Sequence, residues 1–389
     1  MRACIHRGSQ EIGGTCIELE SQGSRLALDV GMPLQASDPD QIEVPPVLGF
    51  KFPENSLLGV FISHAHLDHY GLASQLPKQT PFFIGEAAHR ILSAASLFAP
   101  DRYGVRNPRF LQDRIEISLG PFKITPFLVD HSAYDAYAIL VEAEGKRVFY
   151  TGDFRVHGWK AALTKKLIAD PPKGVSTLLM EGTNLGRPEA DTCLTENDLV
   201  KPLAALIDGT KGMALVWASS QNIDRLVTLW KACCQAKRQL ITDMYTAEIL
   251  AATGNPHVPQ STWKNLRVYL PSAQRAQIIA TKAFEVADRH KPARIYPEEL
   301  AKIAPRSAMI FRPSMRADLE RAVSLDKARL ICSLWRGYLK DPKQARFLEW
   351  TERHRISIHH CHTSGHATSG TLQVTTVKTR QGAGKHGLG

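Results

Sequence analysis

The stretch Phe61-Ile-Ser-His-Ala-His-Leu-Asp-His-Tyr-Gly71, or FISHAHLDHYG, is an apolar run that ends in four potential metal ligands, His64, His66, Asp68 and His69. Imidazole and carboxylate suit zinc and related divalent ions. In an extended segment His64 and His66 share one face, so both can hold one ion, and the turn that follows can bring Asp68 and His69 to a second ion alongside. Two ions about 3.5 to 4 Å apart activate a bridging water and clamp both oxygens of a displacement. Downstream, His131 in FLVDHSAYD and Asp153 in YTGDFR stand where a strand-like run gives way to a loop. Alone, the first reads as an ordinary core histidine and the second as a turn aspartate. Beside FISHAHLDHYG both become ligand candidates.

Outward from this cluster, the first part of the chain is dominated by short β-type runs punctuated by Gly, Asp and Pro: TCIELE, RLALDV, GVFISH, PFFIG, IEISL, FKITPFLV, YAILVE and RVFYTGD. The clearest helical pattern there is GEAAHRILSAASLF. After about residue 195 longer amphipathic segments take over, such as ENDLVKPLAALID, IDRLVTLWKACCQAK and AQRAQIIATKAFEVADRH, separated by strands such as GMALVWAS and SAMIFRP. From about residue 351 the short strand RISIHHCH and a Gly-containing turn belong by their chemistry with the first half. The expected organisation is residues 1–190, an inserted unit at 191–350, and a return at 351–389. The last residues, VKTRQGAGKHGLG, are polar, basic and Gly-rich and are expected to be poorly ordered.

Length and composition agree with an α/β protein of two compact units, or one domain with a large insertion: 389 residues, 43% hydrophobic and 22% charged. Seven scattered cysteines without a C-x-x-C pair argue against a disulfide framework or a thiolate zinc site, which fits a reducing cytoplasm. The opening MRACIHRGSQEIGG lacks the apolar core of a signal peptide, and no apolar stretch reaches the roughly 18 residues that span a bilayer, so no membrane role is expected. Forty-eight Lys and Arg against 38 Asp and Glu give a formal charge of +10. That balance favours a polyanionic partner such as nucleic acid, while a basic solubilising surface is the plainer explanation.

The H-x-H-x-D-H pattern read as HAHLDH, the later His131 and the TGD containing Asp153 resemble the signature of metallo-β-lactamase fold hydrolases. The resemblance implies an αββα sandwich with two divalent ions at one edge of the sheets, zinc first and manganese as the alternative. His64, His66 and His131 would hold the first ion, Asp68 and His69 the second, and Asp153 would bridge them. GSQEIGGTCIELE and RLALDVG look like the opening of RNase J and other β-CASP nucleases. MEGTNLGR, WASSQNIDR and HTSGHA resemble, in order, the acidic motif A, a phosphate-contacting loop of the inserted β-CASP domain, and the motif B loop. On that resemblance the catalytic residues are Asp68, Glu181 and His366, with Glu181 keeping the His366 imidazole protonated for the leaving oxygen of a phosphodiester. Ser219, Ser220, His362, Ser364 and the Gly365 backbone would contact phosphate. SSQN also reads simply as a helix cap for IDRLVTLWK.

β-CASP nucleases continue past motif B to a strand that brings one more histidine, motif C, to the second metal. Here HTSGHATSGTLQ is followed by VTTVKTRQGAGKHGLG, whose composition is wrong for a buried strand, and His386 lies in unmatched context. A truncated C-terminus and a weakened second metal site are therefore expected. The expected function is an RNase J-like ribonuclease on single-stranded RNA, as exo- or endonuclease, with DNA as the alternative polymer and a homodimer as its relatives' common state. Two other classes compete: a small-molecule hydrolase of the lactonase or thioesterase type, and a non-catalytic RNA-binding remnant.

Overall fold

A computed structural model describes residues 1–34, 36, 41–99, 104–187 and 193–382. His386 lies outside the described residues. Contacts divide the chain into two units, residues 1–193 with 365–389, and residues 194–364.

The first unit contains two sheets. One runs in the order β1 (Arg2–Arg7), β2 (Cys16–Ser21), β3 (Ser24–Leu28), β4 (Leu57–Phe61), β5 (Phe82–Gly85) and β6 (Pro108–Leu111). The other has β7 (Ile117–Leu119), β8 (Phe122–Val129), β9 (Ala136–Ala143), β10 (Lys146–Tyr150) and β11 (Thr177–Leu179), in the order β11-β10-β9-β8-β7. The alternation of side chains along each strand decides the layering. On β9, Tyr137, Ile139 and Val141 join a core shared with Leu26 and Leu28 of β3, Phe61 of β4 and Phe122 and Ile124 of β8. The intervening Ala136, Ala138 and Leu140 face the other way, into a core with Leu167 of the helix Ala161–Ala169 and Leu372 of the helix Ser369–Gly382. On the first sheet Ala27 and Val60 turn away from the shared core towards Ala88 and Leu92 of the helix Glu86–Ser96. The result is helix, sheet, sheet, helix: the αββα sandwich, held by two apolar faces per central sheet. Each large side chain so buried contributes about 1.5 to 3 kcal/mol before chain entropy is counted.

The second unit has seven strands, β12 (Ala214–Trp217), β13 (Gln239–Asp243), β14 (Leu266–Tyr269), β15 (Arg294–Ile295), β16 (Ser307–Ile310), β17 (Arg329–Cys332) and β18 (Ser357–His360). Their order is β15-β14-β13-β16-β12-β17-β18, and every pairing is parallel. Parallel strands need crossovers, and the segments between them carry the amphipathic helices read from the sequence, including Glu196–Asp208 and Ile223–Gln235. AQRAQIIATKAFEVADRH forms two helices, Ser272–Thr281 and Phe284–Arg289, because Lys282 adopts a left-handed conformation (φ 57°) between them.

Two elements differ from the sequence reading. The strand within RISIHHCH, grouped there with the first half, is β18 and pairs with β17, so the second unit extends to Ser364 and the return begins at Gly365. Of the stretch from Val377, expected to be poorly ordered, the part as far as Gly382 is helical, and residues 383–389 lie outside the described residues. Thr375, Thr376 and Thr379 each donate a hydroxyl to the carbonyl four residues earlier, and Thr375 and Thr379 are buried. Packing against the sandwich through Leu372 overrides the weak helix propensity of the threonines.

Candidate metal centre

The centre is built where strands of the first unit end. After β4 the chain leaves the sheet through Ile62 and Ser63, and His64 and His66 follow before the short helix Leu67–Tyr70, whose first turn carries Asp68 and whose end carries His69. At Gly31, a Cβ atom would lie 1.7 Å from the Asp68 carbonyl, so only glycine allows the chain after β3 to press against the ligand loop there. Backbone bonds from Thr15 to Asp68, Val30 to His69 and Met32 to Leu67 secure the same contact. This is the physical content of the EIGGT and LDVG stretches.

His64, His66 and His131 bring one ring nitrogen each within 4.8 Å of one another, as do His64, His69 and Asp153 with one ligand atom each, and Asp153, Glu181 and His366 likewise. His131 Nε2 lies 3.2 Å from His66 Nδ1, and His69 Nε2 lies 3.3 Å from Asp153 Oδ2 and 3.8 Å from Asp68 Oδ2. His64 Nε2 is 3.8 Å from the same Asp153 oxygen. All six ligand candidates and the pair Glu181–His366 thus meet in one place, with Asp153 common to two of the groupings.

Hydrogen bonding sets which nitrogens face inward. Asp29, fully buried at the end of β3 in a left-handed conformation (φ 60°), accepts from the Ser63 backbone at 2.7 Å, the Ser63 hydroxyl at 2.8 Å and the Tyr150 hydroxyl at 2.6 Å. His69 Nδ1 lies 2.7 Å from Asp29 Oδ2. A carboxylate only accepts, so Nδ1 carries a proton, and once the ring gives up its second proton the lone pair sits on Nε2, towards Asp68 and Asp153. With its one proton directed at Asp29, Ser63 accepts from His64 Nδ1 at 3.1 Å, which leaves the His64 Nε2 lone pair free. That nitrogen is buried and has no hydrogen-bond partner among the described residues. A buried acceptor without a partner costs about 1 to 3 kcal/mol, and a metal ion is the group that would satisfy it. The donor set fits a divalent cation.

Electrostatics point the same way. Burial first, and then the crowd of neighbouring imidazoles, holds His64 and His131 well below the usual histidine range, and burial lowers His66. Neutral imidazoles are the form that binds metal. Burial opposes the charge of His69, but Asp153, Asp29 and Asp68 outweigh it and raise this group well above its ordinary value. Burial also disfavours the Asp153 carboxylate, and His69 and His366 outweigh it, so Asp153 stays ionised.

Glu181 follows β11 and acts as a clamp. One carboxylate oxygen accepts from the backbone of Phe154, next to Asp153, and of Ala367, and the other lies 3.1 Å from His366 Nδ1. Asn184 donates to the carbonyls of His366 and Ala367 and fixes the same loop. Against burial, Glu181 and Asp153 raise His366 to about 9. Gly365 lies against His131: a Cβ there would be 2.6 Å from Ser132 Oγ and 3.5 Å from His131 Cε1.

The other phosphate-contact candidates belong to the second unit. Ser219 is exposed after β12, whereas Ser220 is buried, its hydroxyl bonded to Thr246 and to the Arg312 guanidinium. Helix Ile223–Gln235 is capped by Asn222, which accepts from the Arg225 backbone. His362 Nδ1 lies 3.2 Å from the Ser333 carbonyl and 3.3 Å from Arg225 Nη1, and Ser364 is partly buried. Sequence reasoning missed Asp29, Tyr150 and Asn184 as supporting residues. An aspartate ending the apolar run RLALDV was the available signal, since a buried carboxylate needs partners.

Residues 46–191 match the model of the Beta-lactamase superfamily domain. Over that segment the chain is similar to the Beta-lactamase superfamily. It is 27% identical over 229 residues to Ribonuclease J of Helicobacter pylori strain 26695, covering 56% of this chain and 33% of that one. Over 159 residues it is 30% identical to an RNase J-like protein of Methanocaldococcus jannaschii, covering 38% of this chain and 35% of that protein. The chain thus spans about a third of the length of these curated relatives. A solved structure from Enterococcus faecalis V583, described as a protein of unknown function, shares the fold with a TM-score of 0.77 at 20% identity, covering 97% of this chain and 91% of that one. A metallo-β-lactamase fold implies divalent metal binding, in accord with the donor set. Among the described residues no helix is long and apolar enough to cross a membrane.

Proposed function

We propose that the chain is a metal-dependent phosphodiester hydrolase of the β-CASP group, RNase J-like, acting on single-stranded RNA. The observation that carries the reading is the Asp153–Glu181–His366 grouping beside the histidine cluster.

His64, His66 and His131 would hold one divalent ion, Asp68 and His69 the other, with Asp153 between them; zinc or manganese would suit these donors. Bound, the ions supply an activated water and neutralise charge on the phosphate. The remaining steps fall to the chain. Asp29 and Ser63 keep His69 and His64 in the tautomers that offer Nε2. Glu181 engages His366 at Nδ1, so the proton given to the leaving oxygen comes from Nε2. The imidazole is charged through neutral pH and loses this proton as pH rises through about 9. The second unit serves as the inserted β-CASP domain, in which Ser219, His362 and Ser364 offer contacts to phosphate groups, while the Ser220 hydroxyl is already bonded to Thr246 and Arg312. The net charge of +10 supports a polyanionic substrate.

The test is incubation with end-labelled single-stranded RNA bearing a 5′-monophosphate or a 5′-hydroxyl, in zinc or manganese, against an EDTA control and Asp68→Ala. Metal-dependent cleavage that Asp68→Ala loses is the expected result, and preference for the 5′-monophosphate sharpens it towards RNase J. RNA bound but uncleaved would replace the reading with a non-catalytic remnant. Neither binding nor cleavage, with turnover of a lactone or thioester, would replace it with a small-molecule hydrolase.

A further inference from the structure

The loop after β17, Ser333-Leu-Trp-Arg-Gly-Tyr-Leu-Lys340, presents two large aromatic rings to solvent: Trp335 is 57% exposed and Tyr338 is 52% exposed. Leaving two such rings in water forgoes burial worth about 1.5 to 3 kcal/mol for each large apolar side chain, so their display needs a reason. The loop is shaped to hold them out. A Cβ on Gly337 would lie 1.9 Å from the Trp335 ring, so only glycine lets the indole lie across the turn. The two rings meet edge to face, with centroids 6.1 Å apart and planes at 83°. Backbone bonds from Tyr338 to Trp335 and from Leu339 to Arg336 close the turn.

The charge around the rings is one-sided. Residues 335–346 contain Arg336, Lys340, Lys343 and Arg346, all exposed, against the single acid Asp341, whose carboxylate is turned onto the Lys343 backbone. The loop leaves the carboxyl end of a parallel strand, the edge at which open α/β sheets bind ligands. It adjoins the Ser219–Ser220 loop there, since β17 pairs with β12 and Ser333 donates to the Trp217 carbonyl at 2.8 Å.

We propose that Trp335 and Tyr338, flanked by Arg336, Lys340, Lys343 and Arg346, form a stacking platform for the bases of single-stranded RNA. This rests on the reading of the protein as an RNA hydrolase. Every base offers a π-face, so stacking tolerates any sequence, and the four cations follow the phosphates beside it. The arrangement binds strand rather than reading sequence.

The experiment measures binding of the full chain, kept in EDTA to prevent cleavage, to a fluorescein-labelled 12-nucleotide RNA by anisotropy. The double variant Trp335→Ala/Tyr338→Ala is expected to bind about tenfold or more weakly, because stacking is worth about 1 to 3 kcal/mol per base. Trp335→Phe, which keeps a ring, is expected to retain most of the affinity. Arg336→Ala/Lys340→Ala is expected to flatten the slope of log Kd against log salt by about 1.4, or roughly 0.7 per lost phosphate contact. Thermal melts matching the parent chain establish that the variants fold. Unchanged affinity in the aromatic double variant overturns the platform, as does failure of the parent chain to bind RNA. Cleavage in metal separates the two claims. Ring-dependent binding without cleavage leaves the platform standing and removes the hydrolase reading; cleavage with ring-independent binding does the reverse.

Discussion

Both units bury histidines and carboxylates together, yet they treat them in opposite ways. In the second unit His290 has both ring nitrogens occupied, Nδ1 by the Ser261 hydroxyl at 2.7 Å and Nε2 by Glu248 at 2.6 Å, and Glu248 is also paired with Arg289. Arg225 and Glu196, both fully buried, likewise close on each other and on Ser333 and Thr228. In the first unit four imidazoles crowd together, with His64 Nε2 buried and without a hydrogen-bond partner among the described residues. A saturated cluster ties elements together. A cluster that keeps lone pairs pointing at one another at a cost in stability is arranged for a cation.

The contrast can be broken at either end. The largest expected effect is that of His64→Ala, which removes a nitrogen shared by two groupings: metal retention after dialysis drops and cleavage falls by about a thousandfold or more, corresponding to several kcal/mol of lost metal assistance. Next is Glu181→Gln, with a loss of roughly 10² to 10⁴ in rate typical of general acid catalysis. Its sign in pH is also fixed. Glu181 raises His366 to about 9, so removing that charge lowers the imidazole's pKa, and the alkaline fall in activity moves to lower pH. An unmoved alkaline limb would exclude His366 as the proton donor.

Asp29→Asn is a smaller change at the same centre. It weakens the lock on His69 Nδ1 and is expected to cost about 10- to 100-fold in metal affinity, with cleavage recovering at higher metal concentration. The smallest effect belongs to the saturated cluster. His290→Leu loses the bonds to Ser261 and Glu248 and is expected to lower stability by about 1 to 3 kcal/mol in denaturant unfolding, with metal content unchanged. A change in metal content there would mean that the two clusters are not chemically distinct.

The candidate metal ligands were legible in the sequence because they are local. His64, His66, Asp68 and His69 lie within six residues at the end of an apolar run, and His131 and Asp153 each follow another such run. The sandwich was legible through the period-two alternation of segments such as FKITPFLV and YAILVE, whose two faces feed different cores. What escaped depends on distant partners. The four residues of β18 carry no mark of which sheet they join; pairing with β17 decides it. Asp29 and Tyr150 are 121 residues apart, and only folding brings the hydroxyl to the carboxylate. The threonine-rich helix Ser369–Gly382 is weak by propensity and is stabilised by packing that the local sequence does not announce.

We propose that the first unit's cluster holds two divalent ions through His64, His66, Asp68, His69, His131 and Asp153. Equilibrium dialysis of the full chain against zinc, read by elemental analysis, tests it most directly. Two ions per chain in the parent, with one lost in Asp68→Ala and both lost or weakened in Asp153→Ala, is the predicted result; a parent that binds no zinc, or zinc bound undiminished in Asp153→Ala, would contradict it.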